Sequence, residues 1–444
     1  MTYPGIIPPY LLDQLASLDD PISGTAADTL RHDQLRAQRF RQATARPSPA
    51  APGRSPGART IHDAQHGTTL PGVVVRREGE PATSDDAVTE AYDGFGATRD
   101  YFRTVHGRDS IDGRGMALIG TVHYGKSYDN AFWGDHQMVF GDGDGVIFER
   151  FTRSLDVIAH ELTHGVTEST AALVYEGQAG ALNESISDVF GSLVKQYQLQ
   201  QSADQADWLV GADLLSATVK GRALRDLLRP GTAYDDPRLG RDPQPDHMDG
   251  FITTDDDNGG AHLNSGIPNR AFAVAATTAG GRAWETVGPV WYDVLTGDQI
   301  QARCDFATFA QLTRAAAVAR YGADHPVTRA VEQGWATVGL AGDAGPAHPV
   351  PQRTTPGQTT VTIRRSGGLA GTTREVTVDV ADLPPALATE LTGYLQQARP
   401  QEPAAARPDA FSYQLTWHPD GPDLRVPEHD LPDPVRQLIS DALG

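Results

Sequence analysis

The pattern of hydrophobic and polar positions divides the chain into blocks of different kinds. Near its start, "IIPPYLL" is followed by "AADTLRHDQLRAQRFRQA", an amphipathic pattern typical of a helix. Residues 60–150 combine short alternating runs such as "ALIGTVHYG" with one helical stretch, "SDDAVTEAYDGFGATRDYFRTVHG". Residues 151–340 are largely helical, apart from a loop-rich part at 229–262. These patterns predict an α+β protein in which a strand-rich part precedes a helical part.

Two stretches rich in proline and glycine interrupt the chain, at 45–59 and 342–358. Such a composition cannot bury a core, so we expect exposed linkers. After the second stretch, "TTVTIRRSGG", "REVTVDVADL" and "FSYQLTWHP" alternate like strands around the helix-like "PPALATELTGYLQQA". The predicted division of the chain is 1–58, 59–155, 156–341, 342–358 and 359–444.

Composition and charge narrow the class of protein. A chain of 444 residues is too long for one ordinary core. A net charge of -20 and a pI of about 5.0 argue against nucleic acid or an anionic membrane as the main partner. Cys304 is the one cysteine, so an intrachain disulfide is excluded. The N-terminal residues lack the pattern of a Sec signal peptide, and we expect a cytoplasmic protein or one secreted by another route.

The segment "DVIAHELTHGV" (156–166) places two histidines four residues apart. On a helix this spacing corresponds to about 400°, so His160 and His164 project from one face. Two imidazoles on one face are able to bind one metal ion together. The alternative is a solvated pair of helix histidines.

The next helical segment, "GALNESISDVFGSLV" (180–194), supplies what the two histidines lack. A catalytic zinc site needs three protein ligands and an open position, and Glu184 is the candidate third ligand. Asp188 and Asn183 are placed to accept hydrogen bonds from the ligand imidazoles. Glu161 points differently from the ligands and is placed to take a proton from a water molecule that zinc has made more acidic.

With these motifs in place, the chain resembles the thermolysin family of zinc metalloendopeptidases, in its protealysin-like branch. The resemblance covers residues 60–340 and implies a two-lobed fold, with a β-rich N-terminal lobe and a helical C-terminal lobe. "NAFWGDHQMVFGDGDG" (130–145) is similar to the family's substrate-binding edge strand. The resemblance implies that Asn130 and Ala131 hold the substrate backbone.

Further motifs of the resemblance imply the remaining site residues. "DNGGAHLNSGIPNRAF" (257–272) is similar to the segment whose histidine stabilises the oxyanion, which gives His262 that role and Asp257 the role of orienting it. Tyr175 matches the tyrosine that assists this histidine. Arg225 matches the arginine that binds the substrate carbonyl beyond the scissile bond, with Arg222 as a competitor.

The resemblance also implies an apolar slot for the residue after the cut bond. Its lining positions are Phe148, Phe151, Val157 and Leu224. Phe151 stands where a smaller leucine is common, so we expect a shallower slot that accepts leucine, valine or phenylalanine.

One departure from the family concerns calcium. Members with a double calcium site carry acidic residues where this chain has Lys195, Leu209 and Ala212, although Asp156 and Asp207 remain. An ammonium beside two carboxylates replaces the charge of a cation, so we predict that the double calcium site is absent.

The ends of the chain extend the resemblance. From composition alone, residues 1–58 are either a removable propeptide or a mobile N-terminal arm. The segment "IIPPYLL" resembles a short protealysin-like propeptide. We expect the rigid Pro8-Pro9 pair to present the apolar residues after it to the cleft. "VTIRRSGGLAGTTREVTVD" resembles emfourin, an inhibitor of such enzymes, with "RRSGGLAG" (364–371) as the expected inhibitory loop. The alternative for 359–444 is an accessory binding or stability module.

We therefore predict a zinc-dependent neutral endopeptidase that acts on protein or peptide substrates as a monomer, with its own ends as intramolecular inhibitors. The competing hypothesis is a non-enzymatic binding or inhibitory protein with a structural zinc. A structural site fills the fourth position with protein, and the sequence offers no obvious fourth ligand.

Overall fold

The computed structural model describes residues 5–42, 57–341, 360–367, 374–379, 411–418 and 423–427. The chain divides into two compact units, residues 1–344 and 345–444. Across these described ranges, no helix is long and apolar enough to cross a membrane.

The first unit begins with two helices, α1 (Pro9–Ala16) and α2 (Ile22–Gln42). Pro9 occupies the first position of α1, where its missing N–H leaves no hydrogen bond unmade. The helix predicted from the amphipathic pattern is α2. The N-terminal segment that leads into and includes α1 buries its apolar side chains completely or nearly so, namely Ile6, Ile7, Leu11, Leu12 and Leu15.

A five-stranded sheet forms the strand-rich part of this unit, in the order β2-β1-β3-β5-β4. Its strands are β1 (Arg59–Asp63), β2 (Val73–Arg77), β3 (Leu118–Val122), β4 (Ala131–Gly134) and β5 (Gln137–Phe140). Strand β3 pairs in parallel with β1 and β5, and the outer pairs are antiparallel. This order leaves β4 at an edge, with one side available to another chain segment.

Helix α3 (Asp86–His106) contacts this sheet. Its N-cap residue, Asp85, accepts hydrogen bonds from the backbone N–H groups of Ala87 and Val88. The helix ends at Gly107, whose left-handed conformation is the usual one after a helix C-terminus.

The helical part follows and confirms the expected two-lobed arrangement. Its helices are α4 (Leu155–Glu168), α5 (Gly177–Leu199), α6 (Asp257–Asn264), α7 (Gly266–Ala279), α8 (Gly288–Thr296), α9 (Phe306–Tyr321) and α10 (Pro326–Thr337). Four two-residue strands lie between α5 and α6, namely β6 (Leu209–Val210), β7 (Arg225–Asp226), β8 (Asp235–Asp236) and β9 (Gly240–Arg241). Short 3-10 turns occur at Phe151–Arg153 and Met248–Gly250.

Helices α4 and α5 approach each other closely at Gly191. A Cβ atom there would lie 2.5 Å from the backbone oxygen of Asp156, a distance that real side chains do not tolerate. Because glycine has no Cβ, the two helices come together at this point. The side chains of one helix then reach those of the other, which is what positions the candidate metal ligands.

The second unit contains a four-stranded sheet in the order β11-β10-β12-β13, with antiparallel pairing throughout. The strands are β10 (Thr360–Gly367), β11 (Arg374–Asp379), β12 (Phe411–His418) and β13 (Asp423–Pro427). The first three were expected from their alternating patterns. The expected inhibitory loop is corrected in part, because residues 364–367 belong to β10; its remainder and the helix expected in "PPALATELTGYLQQA" lie outside the described residues.

Candidate metal centre and active site

Helix α4 presents His160 and His164 from one face, as the spacing predicts. Their Nε2 atoms lie 3.1 Å apart. The Nδ1 atom of His160 is 2.8 Å from Oδ1 of Asp188, and that of His164 is 2.8 Å from Oδ1 of Asn183. Because each Nδ1 donates its proton to an oxygen acceptor, both Nε2 lone pairs point into the space between the rings.

Glu184 of α5 completes a group of three buried ligands. Its carboxylate oxygens lie 3.4 Å from Nε2 of each histidine, and the three ligand atoms are all within 4.8 Å of one another. Its Oε2 atom has no hydrogen-bond partner among the described residues. Two imidazole nitrogens and one carboxylate oxygen form a donor set that fits a catalytic zinc ion, with a fourth position left for water or substrate.

The protonation of these ligands suits metal binding at neutral pH. Burial lowers the pKa of His164 to about 3, so its ring is neutral. Burial opposes the ionisation of Glu184, but the nearby histidines, His262 first, lower the pKa of its carboxyl to about 2. A neutral imidazole and an ionised carboxylate are the forms that bind a metal.

Glu161 lies beside the metal centre on α4 and is completely buried. Its Oε2 atom accepts a hydrogen bond of 2.9 Å from the backbone N–H of Trp133 in β4, and its Oε1 atom has no partner among the described residues. Burial, together with the charge of Glu184, raises the pKa of Glu161 well above its usual value. A carboxylate in this environment has a strong affinity for a proton.

His262 and Tyr175 face the same centre from the other side. The Nε2 atom of His262 is 3.5 Å from Oε2 of Glu184 and 3.3 Å from the Tyr175 hydroxyl, which itself donates a hydrogen bond to Glu184. Asp257 accepts a hydrogen bond from Nδ1 of His262 at 2.6 Å and another from its backbone N–H at 2.7 Å. Burial disfavours the protonated ring of His262, but the charges of Glu184 and Asp257 outweigh this effect and raise its pKa.

A left-handed turn makes this contact between Asp257 and His262 possible. Residues 257–260 all have positive φ, from 52° to 77°. Aspartate, asparagine and glycine are the residues that tolerate this conformation best, and the sequence here is "DNGG". The turn carries the Asp257 carboxylate back to the ring five residues later.

The structure distinguishes the two candidate arginines. Arg225 donates two hydrogen bonds of 2.8 Å to the Asp188 carboxylate and is buried behind the metal centre, whereas Arg222 is exposed and bonds to Asp226. Burial disfavours the ionised carboxylate of Asp188, but the Arg225 guanidinium outweighs this effect and holds the pKa of Asp188 well below its usual range. Asn269 donates a further hydrogen bond of 2.9 Å to Asp188; it lies within the motif quoted for His262, but no role had been expected for it.

The N-terminal segment lies against the predicted substrate-binding residues. Ile6 donates its N–H to the Ala131 oxygen at 3.0 Å, and Ile7 donates its N–H to Oδ1 of Asn130 at 2.9 Å. The Asn130 amide returns a hydrogen bond to the Ile7 oxygen at 3.1 Å, and Arg225 donates one to the Ile6 oxygen at 3.2 Å. The backbone of residues 6 and 7, ahead of the two prolines, therefore lies against the free edge of the sheet, where β4 begins.

Helix α2 adds a second contact with the edge strand, which the sequence had not indicated. Asp33 accepts hydrogen bonds from the Tyr128 hydroxyl and from the Asn130 amide, the latter at 2.9 Å. The Arg36 guanidinium lies 3.6 Å from the centroid of the Phe132 ring. Asp33 therefore contacts the residues that lead into β4, and Arg36 contacts β4 itself.

The four predicted lining residues of the apolar slot are all buried in one hydrophobic core. The rings of Phe148 and Phe151 pack with centroids 6.0 Å apart, while Val157 lies on α4 and Leu224 directly precedes Arg225. Ile6 and Ile7 belong to the same core.

Lys195 lies at the position where the sequence predicts that an ammonium group replaces the family's double calcium site. Its ammonium is 2.9 Å from Asp156, 3.1 Å from Asp207 and 3.0 Å from the Leu209 backbone oxygen. Ala212 supplies only a methyl group. These contacts place a fixed cation between the two carboxylates that remain.

Comparisons with known proteins agree with this geometry. The family model described as "Thermolysin metallopeptidase, catalytic domain" matches residues 53–168, "Thermolysin metallopeptidase, alpha-helical domain" matches 171–340, and "Emfourin" matches 363–443. All three had been expected from the motifs.

Individual relatives and a solved structure each match about three quarters of the chain. The chain is 50% identical over 339 residues to an extracellular metalloprotease of Pectobacterium carotovorum subsp. carotovorum, covering 76% of this chain and 96% of the relative. It is 46% identical over 347 residues to protease PrtS of Photorhabdus sp. (strain Az29), covering 76% and 92%. The structure of the protealysin precursor from Serratia proteamaculans matches with a TM-score of 0.69 and 50% identity, covering 76% of this chain and 99% of that one.

These relatives decide against the hypothesis of a non-enzymatic binding protein. With both halves of the peptidase matched by family models, and half of the aligned residues identical to those of a metalloprotease, the chain belongs to the thermolysin family of metallopeptidases.

Proposed function

We propose that this chain is the precursor of a zinc-dependent neutral endopeptidase that cuts peptide bonds on the N-terminal side of hydrophobic residues. One observation carries the proposal: three buried ligand atoms within 4.8 Å of one another lie beside the buried carboxyl of Glu161, which has one oxygen without a described partner. Such a group supplies both a metal site and a proton acceptor next to it.

His160, His164 and Glu184 would hold a zinc ion, which when bound would supply a Lewis acid for the substrate carbonyl and for water. Glu161 accepts the proton of the attacking water and passes it to the leaving nitrogen, because its Oε1 atom has no described partner and lies beside the ligand group. His262 donates a hydrogen bond to the developing oxyanion. Its Nδ1 is held by Asp257, so its Nε2 stays directed at the centre.

Substrate binding follows the contacts that the N-terminal segment makes. Asn130 and Ala131 bind the substrate backbone at the edge of β4, and Arg225 binds the carbonyl after the cut bond. Asp188 holds both Arg225 and His160, and therefore couples the substrate-binding arginine to a metal ligand. Asn183 fixes the ring of His164 in the same way.

The apolar slot selects the residue after the cut. Phe148, Phe151, Val157 and Leu224 offer no polar group, so a leucine, valine or phenylalanine side chain fits best. Burying such a side chain contributes about 1.5–3 kcal/mol to binding. The bulk of Phe151 makes the slot shallow.

Residues 1–58 keep the precursor inactive in this proposal. Ile6 and Ile7 already use the hydrogen bonds of Asn130, Ala131 and Arg225 that a substrate needs. Asp33 adds a contact to Asn130, and Arg36 adds one to Phe132 of β4. A substrate therefore gains access only after this segment has been removed by a cut within the linker at 45–59. The names of the relatives support action outside the cell, which favours secretion over a cytoplasmic function.

The C-terminal domain, which follows the linker at 342–358, regulates the peptidase in this proposal. Its match to emfourin and the likeness of "VTIRRSGGLAG" support an inhibitory domain that acts within the chain or between chains. Deletion of residues 359–444 should then raise the rate of hydrolysis of a small blocked peptide at least severalfold. Unchanged hydrolysis of the small peptide, with weaker action on large protein substrates, would instead favour an accessory module.

The decisive experiment is hydrolysis of a blocked peptide with leucine after the scissile bond, with Glu161→Gln as the test variant. We expect its kcat/KM to fall by about 10²–10⁴-fold, the usual contribution of a general base, while bound zinc stays near one per chain. Glu285→Gln is the matched control, because this exposed glutamate lies on an outer turn. Full activity in Glu161→Gln, or activity that resists a strong chelator in the unmodified protein, would contradict the proposal.

A further inference from the structure

An open cavity of about 450 Å³ lies next to the segment that carries Arg225. Three pieces of chain line it, at 220–222, 231–235 and residue 241. The buried ring of Tyr234 forms part of its floor, and its rim carries the exposed side chains of Lys220, Arg222 and Arg241. The cavity thus combines an aromatic floor with a cationic rim.

Backbone pairing connects the three pieces of chain that carry these cations. Arg222 donates its N–H to the Ala233 oxygen at 2.8 Å, and Asp235 donates its N–H to the Lys220 oxygen at 2.9 Å. Arg241 lies directly opposite Asp235 in the β8–β9 pair. The rim is therefore built by short strands and their cross-connections.

The charge of the rim is only partly balanced. Arg222 bonds to Asp226, but Lys220 and Arg241 form no ion pair with a carboxylate of the described residues. The lining contains one carboxylate, that of Asp235, against three cations. A local positive excess in a chain of net charge -20 attracts anionic groups to this place.

The N-terminal segment shows that a chain leaving the cleft reaches this cavity. The Ile6 oxygen binds Arg225, and the chain then continues through Ile7 and the two prolines to Tyr10. The Tyr10 side chain lies close enough to Tyr234, a residue that lines the cavity, to influence its pKa. A chain whose carbonyl is held by Arg225 therefore arrives at the cavity within about four residues.

We propose that this cavity is an extended specificity site that binds acidic side chains located three to five residues after the cut bond of the substrate. The inference rests on the proposed function, because it assumes that substrates follow the path of residues 6–10. Lys220, Arg222 and Arg241 attract the carboxylate, and the substrate's backbone passes over Tyr234. These residues determine specificity and take no part in bond cleavage.

The test uses three blocked peptides that share one core, with leucine after the cut bond, and differ only at the third to fifth residues beyond it. These positions carry three glutamates, three glutamines or three lysines. Hydrolysis is measured with the zinc-loaded protein in its active, processed preparation. We expect kcat/KM to fall in the order Glu, Gln, Lys, through KM rather than kcat, with about a tenfold range at low salt.

Salt and charge reversal give the comparison its controls. The range should shrink to about twofold at ~0.5 M salt, because screening weakens exposed charge interactions. In the double variant Lys220→Glu/Arg241→Glu the order should reverse to Lys, Gln, Glu. Arg103→Glu/Arg282→Glu makes the same change of charge at exposed positions elsewhere and should keep the original order.

The outcomes separate the two proposals. Equal kcat/KM for the three peptides, or an unchanged order in Lys220→Glu/Arg241→Glu, would overturn the specificity site and leave the endopeptidase function standing. Hydrolysis of none of the peptides would overturn the proposed function, and the specificity site with it.

Discussion

Helix α4 carries two clusters of buried charge that differ in the source of their cation. Near its N-terminus, Asp156 is neutralised by the Lys195 ammonium of the same chain. About one and two turns later, His160 and His164 form a cluster with Glu184 in which three electron-rich atoms converge. Both clusters lie where α4 contacts α5, yet one supplies its positive charge internally and the other is suited to receive it from a metal ion.

The difference lies in the hydrogen-bond partners rather than in burial. At the first cluster the donor is the lysine, which reaches Asp156, Asp207 and the Leu209 oxygen, so each acceptor has a proton directed at it. At the second, the imidazole protons are directed outward, to Asp188 and Asn183. Lone pairs that face one another repel until a cation lies between them.

The largest effect is expected from removing a metal ligand. Glu184→Gln deletes the one charged ligand, so we expect zinc to fall from about one per chain to well below 0.1 and kcat/KM to fall by more than about 10³-fold. Metal content by elemental analysis and hydrolysis of the blocked peptide check this, with Glu285→Gln as control. Retention of zinc by the variant would contradict the need for a charged ligand at this position.

A smaller effect is expected when the internal cation is removed. Lys195→Met leaves Asp156, which is 1% exposed, without its ammonium, and we expect the free energy of unfolding to fall by about 3 kcal/mol. Zinc content should stay near one per chain. Denaturant unfolding is the measurement, with the exposed Lys126→Met as control. A loss below about 0.5 kcal/mol would mean that the lysine is not what balances Asp156.

The addition of calcium sharpens the same comparison. If Lys195 takes the place of a cation, ~5 mM calcium should leave the unfolding of the unmodified protein unchanged, since a ligand stabilises only a fold that binds it. A clear rise in stability would contradict the prediction that the double calcium site is absent, which stays a prediction until then.

The smallest effect is expected at a third cluster, outside α4, where the cation is a histidine. The His123 ring lies between Asp142 and Asp85, at 2.9 Å from each, and these carboxylates, Asp142 first, raise the pKa of His123 to about 9. Because the folded pKa exceeds the unfolded value, the stabilisation is fully present below about pH 6.5 and is lost as pH rises through about 9.

We therefore expect His123→Gln to lower stability by about 1 kcal/mol at pH 6, a value reduced by the partial exposure of the cluster, and by almost nothing at pH 9.5. Thermal unfolding across this range is the measurement, and His136→Gln controls for the loss of a histidine in the same lobe. A difference that does not change with pH would assign the effect to packing.

The sequence predicted the metal cluster better than its surroundings, and the reason is geometric. The ligands of α4 follow from the helical period, and "NESISD" places Glu184, Asp188 and Asn183 on a second helix with the same period. Asn269 reaches Asp188 across 81 residues, and Asp33 reaches Asn130 across 97. No local pattern encodes contacts at such separations.

Other differences arise from elements too short or too polar to leave a pattern. Strands β6 to β9 have two residues each, which is less than one full alternation, and they were not expected. The polar residues Asp33 and Arg36 on α2 look like a solvent-facing stripe in the sequence, although in the structure they contact Asn130 and Phe132, at the edge strand and just before it. The short pairs β6–β7 and β8–β9 in turn carry Arg225 and the cationic cavity.

The hydrogen bonds of Ile6 and Ile7 to the edge strand have a consequence for the kinetics of activation. A ligand joined to its receptor by a short segment acts at an effective concentration of roughly 1 mM. Even if the free peptide bound with a Kd of only ~10 µM, the tethered form would leave about 1% of the clefts open at any moment. Dilution changes neither the effective concentration nor the fraction of open clefts. The onset of activity should therefore depend on cleavage of the chain, after which the released peptide diffuses away.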